Sequence, residues 1–289
     1  MESNGRAPDR AGLAEFLALA DQVILPRALS ERAGPVPVPP GTRLRVGADL
    51  GTAYLVLVVM DETGRPLAGE WQFAQVVRDG LVVDFVGATD LLRGMKERLE
   101  RRLGVPLTGA ASAYPPGVPQ AEVRATANVV EAAGLACSGL VDEPSAANAV
   151  LHLQDGAIVD VGGGTTGIAV VRDGKVIHTA DEPTGGTHFS LVVAGSQDLS
   201  FEQAEALKVR PEEQARLFPL VRPVMEKVAS IVQSHIAGWD VPSLVLVGGT
   251  CAFRGMAEVI EEYTGIPAWV PPDPRFVTPL GIALNDTLQ

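Results

Sequence analysis

Apolar residues along this chain follow two rhythms. Runs such as Tyr54-Leu55-Val56-Leu57-Val58-Val59-Met60, Ala157-Ile158-Val159-Asp160-Val161 and Ser243-Leu244-Val245-Leu246-Val247 are short, β-rich and nearly unbroken, which is the pattern of strands buried on both faces. Elsewhere the spacing is helical. Leu91, Leu92, Met95, Leu99 and Leu103 fall on one stripe, as do Leu13, Phe16, Leu17, Ala20 and Ile24. The pattern predicts further strands at 71–77, 108–113, 140–141 and 175–179, and a hairpin-like element over 78–84. Helices are expected over 121–133, closed by Gly134, over 145–151, opened by Pro144, and over 186–194, 201–209 and 212–237. One more should start near Met256, and a closing helix covers 278–284. Strand trios followed by helix–strand alternation, twice over, predict an α/β protein with two mixed sheets flanked by helices.

The strand junctions carry the chemistry. Val159-Asp160-Val161-Gly162-Gly163-Gly164-Thr165-Thr166 places one carboxylate, three glycines and two hydroxyls between two strands. Bare backbone N–H groups beside an acid suit a nucleoside triphosphate with its metal. The spacing Gly162-x-Gly164-x-x-Gly167 also fits a dinucleotide fingerprint, but that motif must open a helix, and here Ile168, Val170 and Val171 continue as a strand. A Walker loop is excluded because Val176 follows Gly174-Lys175 where a hydroxyl is required. The device occurs earlier too: Ala48-Asp49-Leu50-Gly51-Thr52 leads into a strand and the turn Asp61-Glu62-Thr63-Gly64. Asp49 aligns with Asp160 and Gly51 with Gly162, so two halves on one plan are expected, with a nucleotide cleft between them.

Composition narrows the function. A formal charge of −12 argues against nucleic acid or an anionic membrane as the main partner. No apolar run is long enough to span a bilayer, and no secretory signal is seen. Cys137 and Cys251 read as reduced, partly buried thiols, and His152, His178, His188 and His235 show no metal spacing. A cytoplasmic protein is expected. Residues 1–41 stand apart as a helix followed by the Pro-rich stretch Gly34-Pro35-Val36-Pro37-Val38-Pro39-Pro40-Gly41. That helix either packs on the body or docks elsewhere on a tether. The lobes are expected over 42–154 and 155–289, the closing helix returning towards the first.

Asp49-Leu50-Gly51-Thr52, Asp160-Val161-Gly162-Gly163-Gly164-Thr165 and Leu246-Val247-Gly248-Gly249-Thr250 together resemble the two phosphate motifs and the adenosine motif of the actin/Hsp70/sugar-kinase ATPases. Asp142-Glu143-Pro144-Ser145-Ala146-Ala147 is similar to the first connecting motif of Hsp70 chaperones, and Arg78-Asp79-Gly80-Leu81-Val82-Val83-Asp84-Phe85 resembles the bacterial actin-like cell-shape proteins. The stretches Tyr114-Pro115-Pro116-Gly117, Ala180-Asp181-Glu182-Pro183-Thr184-Gly185-Gly186 and Phe276-Val277-Thr278-Pro279-Leu280 extend the likeness to the Hsp70-like family of bacterial ethanolamine utilisation. The resemblance implies duplicated actin-like (RNase H-like) lobes with five-stranded-type sheets, ATP as ligand and Mg²⁺ as metal. It implies a chaperone-like or assembly role at an ethanolamine-type microcompartment, with shell or enzyme proteins as clients.

In that frame Asp49 and Asp160 hold Mg²⁺, mostly through water. Gly51, Thr52, Gly162, Gly163, Gly164 and Thr165 contact phosphate, and Glu143 orients the attacking water, so that Glu143, Asp49, Asp160 and Thr165 form the catalytic set. Gly248 and Gly249 admit adenosine, which Glu205 and Lys208 flank. On helix chemistry alone, Glu143 is a first-turn acid favoured by the dipole, and Glu205 and Lys208 are an ordinary exposed helical pair. The chain departs from Hsp70 in lacking its lobe insertions, an obvious cross-cleft lysine and a peptide-binding β-domain after residue 285, so slow hydrolysis or binding alone is expected rather than foldase activity. Two other readings stand beside it: a filament-forming actin-like ATPase, which needs head-to-tail surfaces, and a small-molecule kinase, which needs a base beside a substrate site.

Overall fold

Two sheets share one strand plan in the computed structural model, which describes residues 10–78 and 80–287. Asp79, in the expected hairpin, lies outside the described residues, as do 1–9 of the N-terminal segment. The chain divides into two compact units. Residues 10–151 with 276–287 make the first, and His152–Arg275 the second.

The first unit runs α1 (Arg10–Val23), β1 (Ile24–Pro26), α2 (Arg27–Ser30), β2 (Leu44–Leu50), β3 (Tyr54–Asp61), β4 (Pro66–Phe73), β5 (Val77–Arg78), β6 (Leu81–Val82), α3 (Phe85–Leu103), β7 (Gly109–Tyr114), α4 (Gln120–Ala132), β8 (Ala136–Asp142) and α5 (Glu143–Leu151). Its sheet has the order β1-β4-β3-β2-β7-β8, with β4, β3 and β2 antiparallel and β2, β7 and β8 parallel. The second unit follows as β9 (Gly156–Val161), β10 (Thr166–Arg172), β11 (Lys175–Glu182), α6 (Gly186–Gln197), α7 (Phe201–Lys208), α8 (Pro211–Ile236), β12 (Leu244–Val247), a 3₁₀ turn at Gly249–Ala252, α9 (Met256–Thr264) and β13 (Ala268–Trp269). Its order, β11-β10-β9-β12-β13, repeats the antiparallel trio and parallel pair. The last helix, α10 (Val277–Leu284), belongs to the first unit.

Several sequence expectations are corrected. The strand placed at 71–77 occupies Pro66–Phe73, because the Asp61 carboxylate accepts from the Thr63 N–H and hydroxyl and from the Arg65 N–H, closing the hairpin early. The first sheet has six strands rather than five, since β1 adds in parallel to β4, Ile24 facing Gly69. A Cβ on Gly69 would stand 2.9 Å from Ile24 Cγ1, so glycine makes the room for that strand. The helix α1 and the stretch after it are therefore part of the first unit: Leu13, Leu17, Ala20 and Ile24 are buried, and Val36 N–H donates to Arg102 O at 2.7 Å. The helix packs on the body, and β1 covers what would be an open sheet edge. The first lobe's main run ends at Leu151, earlier than 154.

Beneath that N-terminal segment lies a buried charge cluster. Glu70 on β4 is fully buried and takes the Arg98 guanidinium on both oxygens, with contacts of 2.6 to 3.0 Å. Arg102 is buried nearby, and its nearest acceptors, Ser30 Oγ and Gly69 O, are 3.4 and 3.5 Å away. Removing the carboxylate strands buried positive charge, a change that costs roughly 3–5 kcal/mol in buried pairs. Glu70→Ala is therefore expected to lower the free energy of unfolding, read from urea titration, by an amount in that range, with the midpoint falling accordingly. An unchanged midpoint would show that the cluster is hydrated.

Candidate functional site

Parallel strands that end together present their carboxyl ends as a common rim, the usual place for a ligand in open α/β sheets. In the second unit β9 and β12 do this, with Asp160 in register with Val247. Asp160 is 8% exposed, and Gly248 follows directly at the end of β12. Gly248 has φ +90° and ψ 157°, and a Cβ there would stand 2.4 Å from Asp160 Oδ1 and 2.5 Å from Val161 O. The glycine is thus what lets the second strand end against the acid. Burial pushes the neighbouring Cys251 thiol up, with the Asp160 charge adding to the effect, so the thiol stays protonated beside the carboxylate.

The loop after Asp160 is clamped from one side. Gly162 N–H donates to Thr165 O at 3.0 Å and closes it. The Gly162 carbonyl accepts from the Gly186 N–H at 2.9 Å and from Thr250 Oγ1 at 2.8 Å, and the Gly163 carbonyl accepts from the Thr187 N–H at 2.7 Å. No peptide among the described residues is cis, so each N–H points opposite to the carbonyl of its own peptide plane. The Gly163 and Gly164 N–H groups therefore face away from α6 and Thr250, side by side, as an anion nest requires. A Cβ on Gly185 would lie 2.8 Å from both Gly162 O and Gly163 O, so the close approach is made from the α6 side. Thr165 is buried at the end of the loop, and Thr166 Oγ1 donates to Thr184 O at 2.6 Å.

The first unit repeats the arrangement at its own parallel ends. Asp49 is the penultimate residue of β2 and half-buried; Ala48 is in register with Ser112 on β7, and Tyr114 with Asp142 on β8. Ser112 Oγ donates to Ala48 O at 2.6 Å and ties the first two strands. Asp142 Oδ1 accepts the Ser145 N–H at 3.0 Å, capping α5, so Glu143 is held as the first residue of that helix on the same rim as Asp49, two strand spacings or about 10 Å across. Gly51 turns the chain where a Cβ would meet Tyr54 O at 2.7 Å, and Thr52 beside it is half-buried.

Asp160, Gly162, Gly163, Gly164, Thr165 and Gly248 thus gather in the second unit, and Asp49, Gly51, Thr52 and Glu143 in the first. Gly249 is exposed, and a Cβ on it would make only ordinary contact, 3.9 Å from Arg275 Cγ, so the chain's own packing needs its room less than that of Gly248. One expectation changes. Glu205 and Lys208 are not an exposed pair: they are buried and bonded at 2.6 Å, because α7 packs that face against α6. Sequence reasoning places Thr250 and Gly185-Gly186 inside matched stretches without assigning them a contact, and it does not single out Ser190. The Gly185-Gly186 doublet and the threonine after Gly249 were the available signals.

No group of three or more His, Cys, Asp or Glu side chains suited to a metal occurs among the described residues. One buried carboxylate beside a donor loop does not cage a cation, but it fits Mg²⁺, which keeps its waters and takes one or two carboxylates with phosphate oxygens. No described helix is long and apolar enough to cross a membrane.

The chain is 43% identical over 241 residues to the ethanolamine utilization protein EutJ of Escherichia coli K12, covering 83% of this chain and 85% of that one. The chain belongs to the EutJ family. The crystal structure of EutJ from Carboxydothermus hydrogenoformans superposes on 96% of this chain and 99% of its own with 46% identity and a TM-score of 0.86. Residues 68–196 match the MreB/Mbl protein family, and residues 157–281 the family of the cell division protein FtsA. MreB5 of Spiroplasma citri bound to AMPPNP aligns over 85% of this chain and 96% of its own, with 17% identity and a TM-score of 0.67, a likeness of fold. The EutJ family member described here therefore has the actin-like ATPase fold, with two mixed sheets flanked by helices.

Proposed function

We propose that the chain binds ATP with Mg²⁺, hydrolyses it slowly, and acts as an Hsp70-like chaperone or assembly factor of an ethanolamine-utilisation microcompartment. The observation that carries the nucleotide reading is the Asp160 loop, whose carbonyls are engaged on one side so that consecutive glycine N–H groups turn to the other, beside a buried acid. In the second unit Asp160 would hold the ion through water, and the N–H groups of Gly163 and Gly164 would take phosphate oxygens; in the first unit Asp49 is the matching carboxylate. Thr52 and Thr165 would add hydroxyl contacts, and Glu143 would orient water as a general base. Mg²⁺ supplies charge neutralisation at the phosphates when bound. Membership of the EutJ family and the nucleotide-bound MreB5 of the same fold support this reading. The client would be a shell or enzyme protein of the compartment, with the chain on its cytoplasmic side.

Titration calorimetry tests the site. Mg-ATP should bind the unaltered protein, and Asp160→Ala should weaken it roughly 100-fold, about 2.7 kcal/mol, with unchanged circular dichroism. Equal affinity in the two proteins removes Asp160 from the site. Co-purification with tagged shell and enzyme proteins from cells grown on ethanolamine tests the client, and recovery of neither would sink the assembly role.

A further inference from the structure

Glu205 and Lys208 are the buried ionic pair of the second unit, their side chains 6% and 10% exposed. Their partners include a backbone carbonyl and a hydroxyl. Glu205 Oε2 accepts from Lys208 Nζ at 2.6 Å and from Ser190 Oγ at 2.5 Å. Lys208 Nζ donates onward to Gly186 O at 3.0 Å, and Ser190 Oγ reaches the same carbonyl at 3.2 Å. Gly186 is where the network meets the phosphate loop, since its own N–H donates to Gly162 O. There is no slack at that point. A Cβ on Gly186 would lie 2.3 Å from Thr250 Oγ1 and 3.2 Å from Lys208 Nζ.

We infer that the Glu205–Lys208 pair, with Ser190, is a positioning device: it holds the first turn of α6 against the loop and so keeps the Gly163 and Gly164 N–H groups turned outward for phosphate. Its value for nucleotide rests on the binding reading above, but the clamp itself does not. Two of the three ammonium protons go to Gly186 O and Glu205. Burial pulls the Lys208 ammonium below its ordinary value, and the Glu205 carboxylate opposes that shift. A nucleoside contact and a clamp therefore make opposite predictions. Losing a contact weakens every adenosine-containing ligand alike. Losing a clamp weakens only ligands with a phosphate chain.

Three variants separate these outcomes. Ser190→Ala trims the network without touching a charge. Lys208→Met breaks it, and Lys208→Met combined with Glu205→Gln removes both charges, so that no unpaired carboxylate is left buried if the single variant fails to fold. In protein without nucleotide, amide exchange at Gly186 and Thr187, the donors to Gly162 O and Gly163 O, should quicken roughly tenfold or more, the size expected for contacts within one network. Mg-ADP affinity should fall roughly tenfold while adenosine affinity, followed by NMR titration, stays at the unaltered value. Unchanged exchange overturns the clamp, and so does an equal loss for adenosine and Mg-ADP. If the unaltered protein binds neither ligand, the nucleotide reading fails on its own and the exchange result still decides the clamp.

Discussion

Gly281→Ala is expected to destabilise the first unit by ~3 kcal/mol or more, the upper end for overpacking, although alanine is the better helix former. Gly281 lies inside α10, where glycine costs about 1 kcal/mol relative to alanine. On propensity alone the substitution should stabilise. The neighbour decides the sign. A Cβ at this position would stand 1.8 Å from Ala146 O and 2.4 Å from Ala146 C, on the backbone of α5. A side chain could rotate away; a carbonyl held in a helix cannot. On another side of α10, a Cβ on Gly47 of β2 would stand 2.5 Å from Ala283 N, so the helix is wedged between strand and helix and has no direction in which to retreat. Gly195 is the control. It sits inside α6 with nothing within 4 Å of its would-be Cβ, and Gly195→Ala should stabilise by up to about 1 kcal/mol. Urea unfolding of the two variants beside the parent reads both signs. A midpoint for Gly281→Ala at or above the parent would mean that α5 and α10 separate at little cost.

Much of this arrangement is legible in the sequence for one reason: a strand buried on both faces must be apolar along its length, so an acid or a glycine at its end stands out. Asp49 and Asp160 are visible in that way, and the turns after them follow from Gly51 and Gly162. Short elements are less legible. The three residues of β1 carry no period, and Pro26 within them reads as the end of a helix rather than the end of an edge strand. β13, at two residues, is set by its pairing with Leu244 and Val245 and not by composition. Glu205 and Lys208 illustrate a third limit. An acid and a base three apart on a helix look the same on a solvated face and in a closed network, and only the packing of α7 on α6 distinguishes them. Pro219 and Pro223 show the reverse: helix α8 runs through both because they fall on its exposed side, where the carbonyls they leave unpaired can meet water. Of the two glycines of the expected adenosine motif, the sequence cannot say which one is indispensable. The backbone can.

That difference supports the second large prediction. Gly248→Ala should abolish measurable Mg-ATP binding, whereas Gly249→Ala should leave it within a few-fold of the parent. The torsions of Gly248 lie in a region open almost only to glycine, where another residue costs on the order of 1–3 kcal/mol. Relief by moving the backbone is blocked on one side by Val161 O at 2.5 Å, so the remaining displacement falls on Asp160 Oδ1 at 2.4 Å. That carboxylate sits one residue before the end of the strand from which the loop hangs, and the loop in turn is tied to Thr250 two residues beyond the substitution. The strain therefore moves the acid and one of the two donors on Gly162 O together. Gly249 is exposed and its would-be Cβ has room. Calorimetric titration of the two variants, with thermal melts to confirm that both remain folded, reads the contrast directly. Loss of binding in both would mean that the second glycine makes a ligand contact. Retention in both would place the ligand away from the Asp160 rim.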